Sequence, residues 1–347
     1  MDSINLHLLS QEEVTKLNLI ISESQKIIIT CHKSPDGDAI GSVLACAEWL
    51  RQRGKDPIVV VPDMFPDFLR WLPGVEKIRR YDKHKEELDK AFAEADTIFC
   101  LDFNDTSRVN HMQPALDGAK GKKVLIDHHL EPTVEAEVCI SHPEMAATCE
   151  LLFRIIWQMG DFEAVSKHCA VALYCGLMTD TGAFTYNSTR SEIYYIIGQL
   201  LSKGINKDKI YRNVYNVYSD WCIRMRGYVM YQKLNVFHDS HATFFSITRE
   251  DMTRFHFRKG DAEGLVNEPL RIKGVRLSIS LREDTEVPGL VWVSMRSVDH
   301  YYCDELARKY YNGGGHANAA GGRLYGGLQE AERITREVIK EFAAIYP

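Results

Sequence analysis

The chain has 347 residues, of which 45% are hydrophobic and 26% charged, and its formal net charge is −6. Since a domain usually takes about 100–200 residues, this length predicts two domains, and the ordinary apolar fraction supplies material for their cores. Proteins that bind long nucleic acids usually have a positive net charge or a dense basic patch. The acidic balance therefore argues against a long duplex partner, while it allows a small anionic substrate.

The sequence carries no sign of a membrane or secreted protein. No apolar run approaches the roughly 18 residues that would span a bilayer, and the first residues lack a basic stretch followed by an apolar core. The nine cysteines form no C-x-x-C pair, and several, such as Cys46 and Cys100, stand in apolar surroundings. We therefore expect reduced core cysteines, no cysteine zinc site, a cytoplasmic location and no membrane partner.

Short β-rich runs alternate with helical stretches in the first part of the chain. Each run is continuous and apolar, as expected for parallel strands covered on both faces. The alternation predicts βαβ units and an α/β fold with a doubly wound, mainly parallel sheet. The predicted strands are 26–31, 57–61, 97–101 and 123–126, and the predicted helices are 38–53, 145–159, 164–178 and 191–203.

A longer helical stretch at about 220–234 precedes a second α/β pattern. The whole chain then divides into a first α/β domain over 1–215, a helical linker over 216–235 and a smaller α/β domain over 236–347. The second pattern predicts strands at 234–237, 242–247, 274–281 and 290–295, and helices at 303–310 and 328–346.

Asp and His side chains follow three predicted strands and one predicted helix. In open α/β sheets, ligands bind beyond the carboxyl ends of the strands, where residues distant in sequence converge. A cluster of Asp and neutral His without Cys suits Mn²⁺ or Mg²⁺. The four places hold His32, Asp36 and Asp38; Asp102 and Arg108; Asp127, His128 and His129; and Asp180 in the run TDTG.

Each place also has a purely structural interpretation. Pro35 and Gly37 force a turn, and Asp38 could be the N-cap of the next helix. A single Asp at a strand end is commonly a cap, adjacent histidines in a loop are commonly solvated, and the TDTG run could simply end a helix. The four places together favour a shared site for two divalent ions, which can activate a water and clamp a phosphate. Such ions also relieve the repulsion among buried carboxylates.

A glycine-rich run at 312–322 is the strongest local signal near the C-terminus. The three glycines Gly313, Gly314 and Gly315 let backbone N–H groups approach a ligand closely, and His316 adds a donor to a phosphate oxygen. The alternative is a flexible turn with a buried histidine. Because the run lies between two predicted helices and not in a polar linker, we favour ligand binding.

Arg296 ends the last predicted strand of the second domain, with hydroxyl groups on both sides, one of them Ser297. A guanidinium in this position suits bidentate phosphate recognition. The alternative is a surface ion pair, for which Glu283 or Asp299 could serve.

Together these motifs resemble those of the DHH–DHHA1 phosphoesterase superfamily. The resemblance spans essentially the whole chain, with five motifs in family order and no departure from the core pattern. Length and layout look most like the stand-alone nano-RNases, also called oligoribonuclease/pAp phosphatases. The matching positions are His32, Asp36 and Asp38 for the first motif, Asp102 with Arg108 for the second, Asp127-His128-His129 for the third, Asp180 for the fourth, and Gly313-Gly314-Gly315-His316 for the DHHA1 substrate domain.

The resemblance implies a catalytic first domain, a substrate-binding second domain and two Mn²⁺ ions, with Mg²⁺ or Co²⁺ as substitutes. The implied substrates are very short oligonucleotides, cleaved to mononucleotides, and the 3′-phosphate of adenosine 3′,5′-bisphosphate (pAp). One ion would bind His32, Asp36 and Asp102, and the other would bind Asp38, Asp102, His128 and Asp180. The implied catalytic residues are His129, Asp102 and Asp127. The implied substrate-binding residues are Arg108, Arg296, Ser297, Gly313, Gly314, Gly315 and His316.

Three other functions stay open at this point. Relatives hydrolyse cyclic dinucleotides or their linear products. A non-catalytic nucleotide sensor would be expected to have lost a metal position, and none is missing here. A polyphosphatase or pyrophosphatase would need a dense basic channel. The sequence ranks neither pAp against oligonucleotides nor RNA against DNA, and it does not identify the residues that read the base. Apolar stretches in the helical region would serve either a homodimer contact or the core.

Overall fold

The computed structural model describes residues 4–258 and 260–347. The chain divides between Val217 and Tyr218 into two compact units, each with its own six-stranded sheet. The helix at 220–228 therefore belongs to the second unit. Among the described residues, no helix combines the length and the apolar character needed to cross a membrane.

A parallel sheet with strand order β3-β2-β1-β4-β5-β6 forms the centre of the first unit. The strands are β1 (Ile27–Thr30), β2 (Ile58–Val61), β3 (Arg79–Arg80), β4 (Thr97–Leu101), β5 (Lys122–Asp127) and β6 (Val138–Ser141), and the helices are α1 (Gln11–Glu23), α2 (Gly37–Gln52), α3 (Lys85–Glu94), α4 (Gln113–Gly118), α5 (Thr148–Gln158), α6 (Lys167–Asp180), α7 (Ser191–Ser202) and α8 (Lys207–Tyr215).

Both faces of this sheet are buried. Ile27 and Ile29 of β1 pack in the core that contains α2, α5 and α6, whereas Ile28 packs in a separate core with residues of α3 and α4. Alternate side chains of a strand point to opposite faces, so an unbroken apolar run is what a doubly covered strand requires. The prediction of a doubly wound parallel sheet is confirmed. The short strands β3 and β6 were not predicted, since one has two residues and the other is buried on one side only.

The order of the strands determines where the polar segments meet. The chain leaves β1 in one direction to build β2 and β3, and returns beside β1 to build β4, β5 and β6. The carboxyl ends of β1 and β4 therefore flank the point where the winding reverses, which is the usual ligand position in such sheets. His32 and Asp102 follow these two strands within two residues.

The second unit has a mixed sheet with strand order β11-β12-β10-β9-β8-β7, in which only β8 and β9 are parallel. Its elements are α9 (Asp220–Tyr228), a π-helical turn (Val229–Lys233), β7 (Asn235–Phe237), β8 (Ala242–Ile247), α10 (Arg249–Arg254), β9 (Leu277–Glu283), β10 (Leu290–Ser297), α11 (Asp304–Tyr311), β11 (Gly314–His316), β12 (Ala319–Tyr325) and α12 (Leu328–Ile345).

One face of the second sheet packs on α11 and α12. Leu277 and Ile279 of β9 and Met295 of β10 belong to that core, whereas Phe245 and Ile247 of β8 face the other way and pack with Met225 of α9. The glycine-rich run, expected between two helices without strands of its own, forms the antiparallel pair β11–β12. Glycine is uncommon in strands, so residue type did not predict these two strands.

Candidate metal centre and phosphate site

Asp102 is the central side chain of the candidate site in the first unit. It directly follows β4, is 2% exposed, and has a left-handed backbone with φ of 64°. Such a conformation is uncommon outside glycine and often marks a functional position. Its carboxylate lies between two histidines: Oδ2 is 3.4 Å from Nε2 of His32 and Oδ1 is 3.5 Å from Nε2 of His128.

The two histidines are held by backbone carbonyls. Nδ1 of His32 donates to the carbonyl oxygen of Lys33 at 2.7 Å, and Nδ1 of His128 donates to that of Met145 at 3.3 Å. Nε2 therefore faces the carboxylates in both rings, as in histidines that bind a metal through Nε2 and anchor the ring through Nδ1. A deprotonated Nε2 beside a carboxylate oxygen repels it unless a proton or a cation lies between them.

Asp36 and Asp38 have different surroundings although they are two residues apart. Asp36 is the N-cap of α2, and its Oδ1 accepts from the backbone N–H groups of Asp38 and Ala39 at 3.0 Å. Its Oδ2 lies 3.8 Å from Nε2 of His32. The alternative in which Asp38 caps this helix is wrong, because α2 begins at Gly37 and the capping oxygen comes from Asp36.

Asp38 is buried, and both of its oxygens accept from the first turn of α5. Oδ2 accepts from the backbone N–H of Thr148 at 2.6 Å and Oδ1 from that of Cys149 at 3.0 Å. Gly176 of α6 makes room for this carboxylate, since a Cβ at 176 would lie 2.7 Å from Oδ1 of Asp38. The N-terminus of α5 favours a negative charge here.

Thr148 is a site residue that the sequence reasoning missed. Its hydroxyl donates to Oδ1 of Asp102 at 3.0 Å, while its backbone N–H binds Asp38. The predicted helix began at Met145, which left Thr148 inside the helix, whereas α5 begins at Thr148 itself. The N–H groups of the first turn of a helix have no intrahelical partner and can bind a carboxylate outside it, so the contacts of Thr148 and Cys149 with Asp38 depend on where α5 begins.

Asp180 is the last residue of α6, and its Oδ2 lies 3.3 Å from Nε2 of His128. The structure therefore brings all six predicted metal-binding residues together. Five of them are linked by contacts of less than 4 Å between side-chain atoms. Asp38 is linked to Asp102 through the two hydrogen bonds of Thr148. Among the described residues of the first unit, His32, Asp36 and Asp102 form one group with ligand atoms within 4.8 Å of one another, and Asp38, Asp102 and His128 form a second. The two groups share Asp102.

The pKa values of the carboxylates in this cluster are shifted from their usual range. Burial alone would raise the pKa of Asp102, but hydrogen bonds from His128 and His32 outweigh it and hold this pKa well below its usual range. Burial, together with the negative Asp102, raises the pKa of Asp38 to about 7. Burial and the negative Asp38 likewise raise the pKa of Asp180 well above its usual range.

The pKa values of both histidines are raised, although burial acts to lower them. Burial alone would lower the pKa of His32, but the hydrogen bond to Asp102 and the charge of Asp36 raise it to about 9. The pKa of His128 is also raised well above its usual value, because Asp102 and Asp180 outweigh the effect of burial. Protons thus compensate the charge of the metal-free cluster. Divalent cations would compensate it with oxygen and imidazole ligands of the type they prefer, so the donor set fits such ions.

Asp127 and His129 form a second buried contact beside Asp102. Nδ1 of His129 donates to Oδ1 of Asp127 at 2.7 Å and lies 3.8 Å from Oδ1 of Asp102. Oδ2 of Asp127 is buried and has no hydrogen-bond partner among the described residues. Asp102, Asp127 and His129 make a third group with ligand atoms within 4.8 Å. Asp127 therefore sets the orientation of the His129 ring.

Arg108 reaches the same cluster from the loop after β4. Its carbonyl oxygen accepts from the backbone N–H of Lys33 at 2.7 Å, which ties this loop to the one that carries His32. The side chain is half-buried, and its positive charge acts against protonation of His32. A guanidinium at this edge of the cluster suits a phosphate oxygen.

A buried ion-pair network links the segments that carry the candidate metal-binding residues. Glu150 is fully buried, and its Oε1 accepts from Nη2 of Arg154 at 2.8 Å while its Oε2 accepts from Nη2 of Arg190 at 2.7 Å. Nη1 of Arg190 also approaches Sδ of Met145, whose carbonyl holds His128. Glu150 thus connects α5 with the start of α7 beside the Asp–His cluster.

The candidate phosphate residues of the second unit occupy one row of its sheet. Arg296 on β10 pairs with Ala319 on β12, which pairs with His316 on β11. Paired residues project from the same face, so Arg296 and His316 lie on one face with the small side chain of Ala319 between them. Ser297 projects from the opposite face and is buried, and its hydroxyl accepts from Nδ2 of Asn318 at 3.0 Å. The structure does not bring Ser297 to the face of Arg296.

The three successive glycines have unequal surroundings. A Cβ at 313 would lie 1.8 Å from the carbonyl oxygen of Gly321, and a Cβ at 315, where φ is 145°, would lie 2.4 Å from that of Ala319. A Cβ at 314 would meet nothing closer than 3.7 Å. Gly313 and Gly315 are therefore required for the approach of β11 to β12, in addition to any role in ligand binding.

Comparison with known proteins agrees with this geometry. Residues 26–177 match the model of the DHH family, N-terminal domain. The bifunctional oligoribonuclease and PAP phosphatase NrnA of Thermus thermophilus is 28% identical over 91% of this chain and 89% of its own length, and that of Bacillus subtilis is 24% identical over 93% and 97%. The crystal structure of an exopolyphosphatase-related protein from Bacteroides fragilis is 45% identical over 97% of this chain and 98% of its own, with a TM-score of 0.93. The chain belongs to the DHH family.

Proposed function

We propose that this chain is a Mn²⁺-dependent phosphoesterase that hydrolyses very short oligonucleotides to mononucleotides and removes the 3′-phosphate of pAp. The observation that carries the proposal is the convergence of two Asp–His groups on one carboxylate, that of Asp102, at the carboxyl edge of a parallel sheet. Relatives named for the same two activities match about nine-tenths of the chain, which supports this choice of substrate.

The six clustered residues divide between two ions. When bound, the ions supply Lewis-acid activation of a water and offset the negative charge of the phosphoryl group. Asp102 would contribute to both, because its two oxygens face different histidines. His32, Asp36 and Asp102 would hold one ion, and Asp38, Asp102, His128 and Asp180 would hold the other.

The chain's own residues provide orientation and substrate contacts. Thr148 holds Asp102 and Asp38 in position through two hydrogen bonds. Asp127 occupies Nδ1 of His129, so Nε2 is the nitrogen that meets the phosphate and the leaving oxygen. Arg108 adds a positive charge at the same edge. In the second unit, Arg296 and His316 bind a terminal phosphate of the substrate, which supports an end-directed cleavage of short chains.

One panel of substrates tests this proposal. Purified chain with Mn²⁺ is incubated with pAp, RNA dimers to pentamers, cyclic dinucleotides, polyphosphate and pyrophosphate, and the products are separated by anion exchange. We expect phosphate and AMP from pAp, and mononucleotides from the oligomers. Release of products only from cyclic dinucleotides, or from none of the substrates, would contradict the proposal.

Polyphosphate hydrolysis is the second candidate function. The observation in its favour is the high identity to the exopolyphosphatase-related protein of Bacteroides fragilis. A polyphosphate chain presents charge at every unit and needs a continuous basic channel, whereas the row that contains Arg296 and His316 has two basic side chains separated by an alanine. Phosphate release from polyphosphate faster than nucleotide release from RNA dimers would favour this candidate.

A further inference from the structure

The face of the second sheet that carries Arg296 is only partly covered. Val291, Val293 and Met295 of β10 point into the core with α11 and α12. The alternate residues of the same strand point the other way, and Trp292 among them is 38% exposed. Trp292 therefore presents part of its ring to solvent, and an amphipathic ring in this position is available for contact with a flat ligand.

The register of the strands defines what surrounds Trp292. It pairs with Arg323 on β12, whose side chain is exposed. Tyr325, two residues further along β12, is a diagonal neighbour on the same face and is 63% exposed. Diagonal neighbours are within reach of aromatic side chains. This end of the face therefore carries two aromatic rings and two arginines, because Trp292 also pairs with the half-buried Arg282 on β9.

Small residues lie on this face between the row of Trp292 and the row of Arg296 and His316. The row between them contains Ser294 of β10 paired with Gly321 of β12. Gly321 has no room for a side chain, because a Cβ there would lie 2.8 Å from the carbonyl oxygen of Val293. The face thus forms a shallow track, and the four residue steps from Trp292 to Arg296 span about 13 Å.

The indole of Trp292 is held in one orientation. Its Nε1 donates to Oδ2 of Asp284 at 2.6 Å. A ring that is fixed before binding loses little entropy when a flat partner stacks on it. Single-stranded nucleic acids are bound by this combination of stacking aromatic rings and backbone cations, and the stacking tolerates any base.

We propose that this face, from Arg296 and His316 to Trp292, Arg323 and Tyr325, binds a single-stranded oligonucleotide beyond its terminal phosphate. Trp292 stacks on a base and Arg323 meets a backbone phosphate. The inference rests on the proposed function for the placing of a phosphate at Arg296 and His316. A mononucleotide such as pAp is too short to need both ends of the track, whereas an oligomer of several nucleotides covers them. The track therefore adds affinity for oligomers and none for pAp.

Binding to the full metal-free chain tests the track without any hydrolysis. A 5′-phosphorylated RNA pentamer with a 3′ fluorophore is titrated in EDTA and followed by anisotropy, with unlabelled pAp as a competitor. Trp292→Ala, Tyr325→Ala and Arg323→Ser are the test variants. Trp221→Ala is the matched control for an exposed tryptophan on α9, and Lys340→Ser is the control for an exposed cation on α12.

We expect Trp292→Ala to weaken pentamer binding about fivefold or more, as expected for the loss of one stacking ring, with pAp binding unchanged and both controls like wild type. Equal pentamer affinity for Trp292→Ala and Trp221→Ala would overturn the proposal, as would equal weakening of pentamer and pAp. Tyr325→Ala removes a largely exposed ring, so it reports on the track even if Trp292→Ala unfolds. If no RNA in the panel is hydrolysed but pentamer binding depends on Trp292, the track stands and the proposed activity fails.

Discussion

The hydroxyl of Thr148 donates a hydrogen bond of 3.0 Å to Oδ1 of Asp102, the carboxylate that faces both candidate metal positions. The same residue binds Asp38 through its backbone N–H. The start of α5 therefore orients the carboxylates that follow β1 and β4, and Thr148 contacts both of them.

Thr148→Val tests this orientation, because it replaces the hydroxyl with a methyl group of similar size and keeps the backbone contact with Asp38. We expect Mn²⁺ affinity to fall about 10- to 100-fold, the usual loss when a partner of a metal ligand is removed. Isothermal titration of the metal-free chain with Mn²⁺ measures it. Thr148→Ser should recover most of the affinity, and a valine variant that binds like wild type would contradict the assignment.

Asp102→Asn should remove hydrolysis and leave the fold intact. The amide keeps the size of the side chain but cannot supply two anionic oxygens to two cations, so we expect a loss of at least about 100-fold in kcat with pAp. Circular dichroism checks the fold. Asp105→Asn is the matched control, because Asp105 caps the next turn of the same loop and Asn caps equally well. Near-normal turnover in Asp102→Asn would end the shared-carboxylate assignment.

Metal binding should release protons at neutral pH. The pKa of His32 is about 9 and that of Asp38 is about 7 in the metal-free chain, so at pH 7 the histidine is protonated and the carboxyl is about half protonated. A metal requires both without their protons. Mn²⁺ affinity should therefore rise as the pH rises from 6 to 9, and it should fall as these groups take up protons in acid.

The release is measured by titrating Mn²⁺ at pH 7 in buffers with different ionisation enthalpies. The slope of the observed enthalpy against the buffer enthalpy gives the number of protons, for which we expect more than one per chain. A flat dependence on the buffer would mean that His32 and Asp38 carry no proton before the metal binds, and this would contradict their raised pKa values.

The sequence located the parts of the site that follow apolar strands, because a buried strand is recognisable from residue type and its carboxyl end is then known. His32, Asp102 and His128 were predicted in this way and do lie together. Thr148 was not found, since its role depends on being the first residue of α5, and helix boundaries are the least certain part of a sequence prediction.

The second unit was harder to predict for a physical reason. Glycine and alanine have no preference for strands, so the segment that forms β11 and β12 gives no periodic signal. The face from which Ser297 projects depends on the register of β10, and the same register places Trp292 beside Arg323. A shift of one residue would exchange these faces, and the alternation of Val291, Val293 and Met295 with more polar residues on β10 opposes such a shift.

Glu150→Ala should strongly destabilise the first unit. Arg154 has 4% of its side chain exposed and pairs with Glu150 at 2.8 Å, so the substitution leaves a buried charge without its partner. Such a loss typically costs about 3–5 kcal/mol. Urea unfolding of the full chain, followed by circular dichroism, measures it, with Glu163→Ala as a control. The double variant Glu150→Leu with Arg154→Met should recover much of the stability, and a single variant as stable as wild type would contradict a structural role of the pair.

Alanine substitutions in the glycine run separate packing from ligand binding. Gly313→Ala and Gly315→Ala place a Cβ 1.8 Å and 2.4 Å from carbonyl oxygens of β12, so the strands must move apart, and we expect a loss of about 1–3 kcal/mol in the free energy of unfolding. Gly314→Ala has 3.7 Å of room and should change stability by less than about 0.5 kcal/mol. Unfolding in urea compares the three variants, and pAp binding to each is measured in parallel. If Gly314→Ala keeps its stability but loses pAp binding, then position 314 contacts the substrate. Equal destabilisation by all three would instead mean that the hairpin is packed differently from β11–β12 as described.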